Sequence, residues 1–199
     1  MAFSASVAGV PEERPGLEPR RLLGLVYEDG FEADRMLSAL GYALREQGVA
    51  VRGLVQRNTP VSDRIKCDMD LEELGSGKVF HISKDRGALA RGCRLDVEML
   101  LIAGEVLEDV LEHGCGLLIV NKFGRTEAEG GGLRNLLARS ASHEITTIVG
   151  VPRRNVDAWL EFSGGLSDLC DVEDVACLTA WVRQRTGVSY DFNASKGVS

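Results

Sequence analysis

The chain has 199 residues, 23 Lys and Arg against 30 Asp and Glu, and a formal net charge of −7. One domain of about 100–200 residues is expected at this length, and 44% apolar with 27% charged residues excludes a largely disordered chain. No apolar run approaches the roughly 20 residues that span a bilayer. The first residues lack the charged start and apolar core of a secretory signal, and the acidic balance disfavours nucleic acid or an anionic membrane as partner. The expectation is a cytoplasmic protein with one domain.

Residues 1–19, with Pro11, Pro15 and Pro19 and no apolar period, read as a tail. The domain is expected over 20–186, with a second tail over 187–199. Arg21 to Tyr27 is a short apolar run suited to a buried strand. Phe31 to Gln47 places Met36, Leu37, Leu40 and Leu44 at helical spacing, with Gly48 as the stop. Val49 to Val55 is again strand-like, so the chain opens as a β-α-β unit, which implies a parallel sheet. Ile65 to Leu71 and Lys78 to Ile82 are expected as a hairpin, with Gly75 and Gly77 in its turn.

Leu95 to His113 returns to helical spacing through Leu100, Leu101, Val106, Leu107, Val110 and Leu111. Gly116 to Val120 is the most apolar strand candidate and is expected at the sheet centre. A helix over Leu133 to Ser142, a strand over Ile145 to Val151, a short helix over Val156 to Phe162 and a last helix over Val172 to Arg185 complete the order. The fold class is therefore α/β, three layers around a mostly parallel sheet. Trp159 and Trp181 lie on apolar helical faces and read as core.

In such sheets ligands bind beyond the carboxyl ends of the strands. Tyr27 to Asp34 fills the position where a phosphate-binding loop would read GxxxxGK[ST]. It has Gly30 but no Lys, Ser or Thr, and it carries Glu28, Asp29, Glu32 and Asp34. These carboxylates repel a triphosphate and suit an acid-capped helix start. Ile119 to Arg134 is more suggestive. Lys122, Arg125 and Arg134 bring positive charge, Glu127 and Glu129 bring carboxylates, and Gly130, Gly131 and Gly132 form a costly helix start that suits close approach to a ligand. A self-paired, solvated turn is the alternative reading.

From Arg52 to Arg94 there are nine Lys and Arg against six Asp and Glu, in an otherwise acidic chain. Arg57, Lys84, Arg86, Arg91 and Arg94 in glycine-punctuated turns are good partners for a compact oxyanion. Cys67 and Cys93 flank this region and could face one another. Either inert thiols or thiolates activated by neighbouring Arg would fit.

An odd count of five Cys, with no secretion signal, points to reduced thiols, and Cys115, Cys170 and Cys177 read as buried free cysteines. No CxxC pair or close His spacing suggests a metal centre. No GxSxG elbow suggests a serine hydrolase.

Tyr27-Glu-Asp-Gly30, Val55-Gln-Arg57, Cys67-Asp-Met-Asp-Leu71, Arg91-Gly-Cys-Arg-Leu-Asp96 and above all Asn121-Lys-Phe-Gly-Arg-Thr-Glu-Ala-Glu-Gly130 resemble an uncharacterised bacterial family, domain of unknown function 2478. The resemblance covers about residues 21–184. It implies a P-loop-NTPase-like fold with an inserted β-hairpin and degenerate Walker motifs. The Walker B position would read Asn121-Lys122, and the Walker A lysine is missing. It also implies an association with molybdenum or tungsten uptake and use.

The expected function is thus binding of a small oxyanion, such as molybdate or tungstate, for storage, delivery or sensing. The alternative is a nucleotide-binding protein or nucleoside phosphohydrolase with an atypical site. The expected ligand-binding residues are Arg57, Lys84, Arg86, Arg91, Cys93, Arg94, Lys122, Arg125, Glu127, Gly130 and Gly131. The sequence leaves the cofactor unknown, and assembly into a homo-oligomer is left open.

Overall fold

The computed structural model describes residues 20–59, 68–83 and 95–191. Both expected outer tails, 1–19 and most of 187–199, and the basic segment 84–94 lie outside them. Strand β1 (Leu22–Tyr27) is buried at every position, as a strand covered on both faces must be. Helix α1 (Gly30–Glu46) follows, and the Asp29 carboxylate caps it by accepting from Phe31 N at 2.9 Å. Next come β2 (Val51–Thr59), β3 (Asp68–Glu73) and β4 (Val79–His81), then α2 (Val97–Glu105) and α3 (Glu108–His113). Strand β5 (Leu117–Val120) leads through α4 (Arg125–Ala128) and α5 (Arg134–Ser142) to β6 (Thr147–Pro152). A 3-10 turn at Arg153–Asn155, α6 (Val156–Ser163), β7 (Ser167–Asp171) and α7 (Val175–Thr186) complete the order.

The sheet runs β4-β3-β2-β5-β6-β1-β7. The five strands from β2 to β7 in that row are parallel, and β3 and β4 add an antiparallel edge. Alternation along each central strand splits the core in two. Leu117 and Ile119 of β5 face α1 and α7, with Leu37, Leu40, Leu44, Leu178 and Trp181. Leu118 and Val120 face the opposite layer, with Leu100, Leu107, Leu137 and Trp159. Fully burying each such side chain contributes about 1.5–3 kcal/mol, so the short β5 anchors both layers.

On the second face Phe123, Trp159 and Phe162 form an aromatic cluster, with Phe123 edge-on to Trp159 at 5.3 Å. Gly24 of β1 leaves the space Trp159 fills, because a Cβ there would lie 2.6 Å from the indole nitrogen.

Three departures from the sequence reading have physical causes. The expected helix from Leu95 to His113 is two helices, because the chain turns at Val106–Leu107 while its apolar spacing continues across the turn. Residues 167–171, not assigned to any element by pattern, form edge strand β7, so the last helix starts at Val175 and not Val172. Cys170 and Cys177 are not free thiols but a disulfide, with Cα atoms 5.9 Å apart. It ties β7 to the first turn of α7, a proximity that cysteine counting cannot detect. Cys115 is free.

Topology defines where a ligand would meet the sheet. From β1 the chain passes through α1 to β2, beyond both β6 and β5. From β6 it passes through α6 to β7, on the other side of β1. The crossovers leave β1 and β6 in opposite directions, opening a crevice at their carboxyl ends. At the same end β2 overshoots β5. Val51 to Leu54 pair with β5, whereas residues up to Thr59 continue beyond it, paired with β3. The Ser83–Leu95 bridge closes the β4 flank at this level.

Candidate functional site

The crevice is built from the carboxyl ends of β1, β5 and β6 and the start of α1. Alternation turns Tyr27, the last residue of β1, toward the α1 layer with Leu23 and Leu25. Asn121, directly after β5, continues the face of Leu117 and Ile119. Asp34 in the second turn of α1 meets it, and Asn121 Nδ2 donates to Asp34 Oδ1 at 2.6 Å. All three residues are buried. The charge-assisted bond fixes the amide orientation, so Asn121 Oδ1 points away from the carboxylate. That oxygen and the Tyr27 hydroxyl, both closed to solvent, have no hydrogen-bond partner among the described residues. Burial above all, with the Asp34 carboxylate adding to it, pushes the Tyr27 phenol above its ordinary value, while the Arg154 guanidinium acts the other way. The hydroxyl therefore stays protonated and available as a donor.

Gly150 of β6 lies between the two side chains. A Cβ there would be 3.2 Å from Asn121 Oδ1 and 3.5 Å from the Tyr27 ring. The backbone is pinned as well. Asn121 N bonds Leu54 O, and Phe123 N bonds Gly150 O, both at 2.9 Å. Asn155 Nδ2 holds Phe123 O at 3.0 Å. The Asn121–Lys122 peptide is cis.

Five of the expected ligand residues, Lys84, Arg86, Arg91, Cys93 and Arg94, lie outside the described residues, as does Cys67. The other six are spread along the rim. Lys122 Nζ donates to the neutral Gln56 carboxamide at 3.3 Å and forms no salt bridge with the described residues. Arg57 bonds Glu72 Oε2 at 2.8 Å, and the Tyr42 hydroxyl bonds the other oxygen of that carboxylate. Arg125 pairs with Glu129 at 2.6 Å across one exposed helical turn.

Glu127 has an internal task. Its buried carboxylate accepts from Gly124 N at 2.9 Å and Leu133 N at 3.0 Å, stapling the loop after β5 to the start of α5. Burial raises its pKa, against those backbone donors and Lys122. This task also accounts for part of the glycine run. Gly130 and Gly132 have φ of +97° and +56°, and a Cβ on Gly132 would lie 2.0 Å from Glu127 Oε1. Gly131 sits exposed between them without a positive φ.

Sequence reasoning did not assign Tyr27, Asn121 or Arg154 to the site. Arg154 is exposed, acts electrostatically on Tyr27 and has no ion pair with the described residues. Its neighbour Arg153 is held between Glu28 and Asp171. Asp34 and Asn121 meet across 87 positions, a pairing no local spacing announces. Among the described residues there is no group of three or more His, Cys, Asp or Glu placed to hold a metal, and no helix is long and apolar enough to cross a membrane.

Residues 22–181 match the family model described as "Protein of unknown function (DUF2478)". The chain belongs to this family. Like this DUF2478 chain, over 181 residues and at 28% identity, is a stretch of the molybdenum import ATP-binding protein ModC 2 of Bradyrhizobium diazoefficiens. The match covers 90% of this chain and 20% of that protein, so the DUF2478 chain spans about a fifth of its relative's length. No solved structure matches the chain.

Proposed function

We propose that this protein binds a compact tetrahedral anion at the carboxyl rim of its sheet, in the handling of molybdenum or tungsten oxyanions. The observation that carries this reading is the pair of rim cations, Lys122 after β5 and Arg154 after β6, neither of which forms a salt bridge with the described residues. Elsewhere on the same rim Arg57, Arg125 and Arg153 are each matched by an acid. A cation kept without a salt bridge beside a topological switch point is suited to an incoming anion. Lys84, Arg86, Arg91 and Arg94, with Cys93, belong to a segment whose flanking residues Ser83 and Leu95 pair at this end of the sheet, and they extend the proposed donor set. Arg57 borders it, and Arg125, Glu127, Gly130 and Gly131 shape the loop that presents Lys122.

The likeness to a molybdenum import protein supports the oxyanion class. The words "ATP-binding" in that protein's name support the second reading, a nucleotide bound through its phosphates. Against a Walker-type cradle stands the Asp29 carboxylate, which already occupies the α1 N-terminus.

Calorimetric titration of the full chain with molybdate, tungstate, sulfate and phosphate, and in parallel with nucleotides plus Mg²⁺, tests both readings. Lys122→Ala and Arg154→Ala are each expected to weaken the tightest anion about tenfold, the effect of one charge-assisted contact. Absence of heat with every oxyanion overturns the first reading, and absence with every nucleotide overturns the second.

A further inference from the structure

The corner from β7 into α7 lies at the carboxyl end of the sheet and is closed covalently. Cys170 and Cys177 form a disulfide, seven positions apart in the chain, with Cα atoms 5.9 Å apart. The residues between them carry hydrogen bonds of their own. Val172 N donates to Val26 O at 2.8 Å, Asp174 N to Asp171 O at 3.0 Å, and Cys177 N to the capping Asp174 carboxylate at 2.9 Å. None of these bonds involves a sulfur, so the corner keeps its path with the cysteines as thiols. Both side chains sit in the apolar α1–α7 layer, where a thiol packs as a small apolar group.

The corner is also where a covalent link has something to hold. The Asp171 carboxylate accepts from Glu173 N at 3.1 Å and pairs with Arg153, whose guanidinium reaches Glu28 at 2.7 Å. Arg153 opens the 3-10 turn that carries the rim cation Arg154 and ends at Asn155, which bonds Phe123 O. A change in the corner therefore reaches the loop after β5 through one ion pair and one hydrogen bond. Strand β7 ends the sheet, paired among the described residues to β1 alone. Local opening of an element with few packed neighbours costs less than global unfolding. Such opening gives a reductant its path to two cysteines that are closed to solvent in the folded corner.

We propose that Cys170 and Cys177 are a reversible thiol–disulfide pair whose reductant is a dithiol, and that the oxidised form latches the β7–α7 corner to the Arg153–Asn155 turn. In reduction one sulfur of the dithiol, as thiolate, attacks a cysteine sulfur. A mixed disulfide forms, and the other cysteine leaves as thiolate and takes a proton. The second sulfur of the dithiol then displaces the protein, leaving two cysteine thiols and an oxidised, cyclic reductant. Two electrons pass from reductant to protein, and oxidation by a small disulfide reverses the sequence. The latch stands apart from the anion-binding reading, since its readouts need no ligand.

The test uses the full chain, oxidised with glutathione disulfide or reduced with excess dithiothreitol, with differential alkylation and peptide mapping to assign each cysteine. The folded chain is expected to gain and lose the 170–177 link without unfolding, over minutes to hours. On reduction, hydrogen exchange is expected to rise about tenfold in peptides covering 153–155 and 171–177, with β5 unchanged. The melting temperature is expected to fall by about 5–10 °C, the effect of opening one short covalent loop in a domain of this size. A Cys170→Ala, Cys177→Ala double variant is expected to melt at one temperature in both conditions, which separates this pair from Cys67, Cys93 and Cys115.

If the double variant does not fold, the wild-type exchange map carries the test, because it locates the change. A pair that stays as thiols under glutathione disulfide, or stays linked until the chain unfolds, overturns the proposal. So does reduction that leaves exchange at the corner and turn unchanged, or raises it equally across the sheet. A double variant whose melting temperature falls with reductant by the wild-type margin overturns it as well.

Discussion

Two buried polar clusters occupy opposite ends of the sheet and differ in how completely their atoms are paired. Near the β3–β4 turn, the fully buried Glu73 accepts from Arg52 Nε at 2.8 Å, Gly75 N at 2.9 Å and Ser76 N. Arg52 also reaches Asp109 at 2.9 Å, joining the turn to α3. Burial pushes the Glu73 carboxyl up, but Arg52 and the two amides outweigh it and hold the group at about 2. In the crevice, by contrast, Tyr27 and Asn121 each retain an unused atom. Native structures leave few buried polar atoms unpaired, because each costs stability. A cluster that spends every atom on itself serves the fold. One that leaves a donor and an acceptor unused keeps their desolvation cost inside the fold.

The contrast can be broken from either side. The largest expected effect is at the closed cluster. Glu73→Ala strands the Arg52 guanidinium and two amides, and should cost about 3–5 kcal/mol in a urea denaturation series. Acid should act on the same group. With a folded pKa near 2 against an ordinary 4.5, Glu73 contributes stability that is fully present above 4.5 and lost as pH falls toward 2. The loss is on the order of 3 kcal/mol, measured as a drop in unfolding free energy over that window and absent in Glu73→Ala.

The open cluster should behave oppositely. Tyr27→Phe removes a buried hydroxyl with no partner, so stability should stay level or rise by up to about 1 kcal/mol, checked by thermal melting. A clear loss would mean the hydroxyl is satisfied within the fold. Arg125→Ala should have the smallest effect, about 0.3–0.5 kcal/mol in the same assay, because its pairing with Glu129 is solvent-exposed across one helical turn.

Much of the scaffold was legible in the chain. Leu22 to Val26 and Leu117 to Val120 announce themselves as continuous apolar runs, and the spacing of Leu37, Leu40 and Leu44 marks the buried face of α1. Strand β7 was not, because Ser167-Asp168-Leu169-Cys170-Asp171 is an edge strand in which only Ser167 and Cys170 are buried. The site was less legible than the fold. Charge density drew attention to Arg57 and Arg125, yet each is matched locally by a carboxylate. The unmatched atoms of the crevice belong to Tyr27 and Asn121, which stand in family-like strings but carry no charge to mark them as site residues. Their significance depends on Asp34 and Gly150 arriving from other parts of the chain.

The aromatic cluster behind the loop after β5 has a practical consequence. Phe123, two positions from Asn121, stacks edge-on to the wholly enclosed Trp159, whose indole nitrogen finds no acceptor. Any movement of that loop is therefore transmitted to a native fluorophore shielded from quenching by water. With Trp181 replaced by Phe, emission from the remaining indole becomes an optical gauge of the loop's position, and it needs no attached dye.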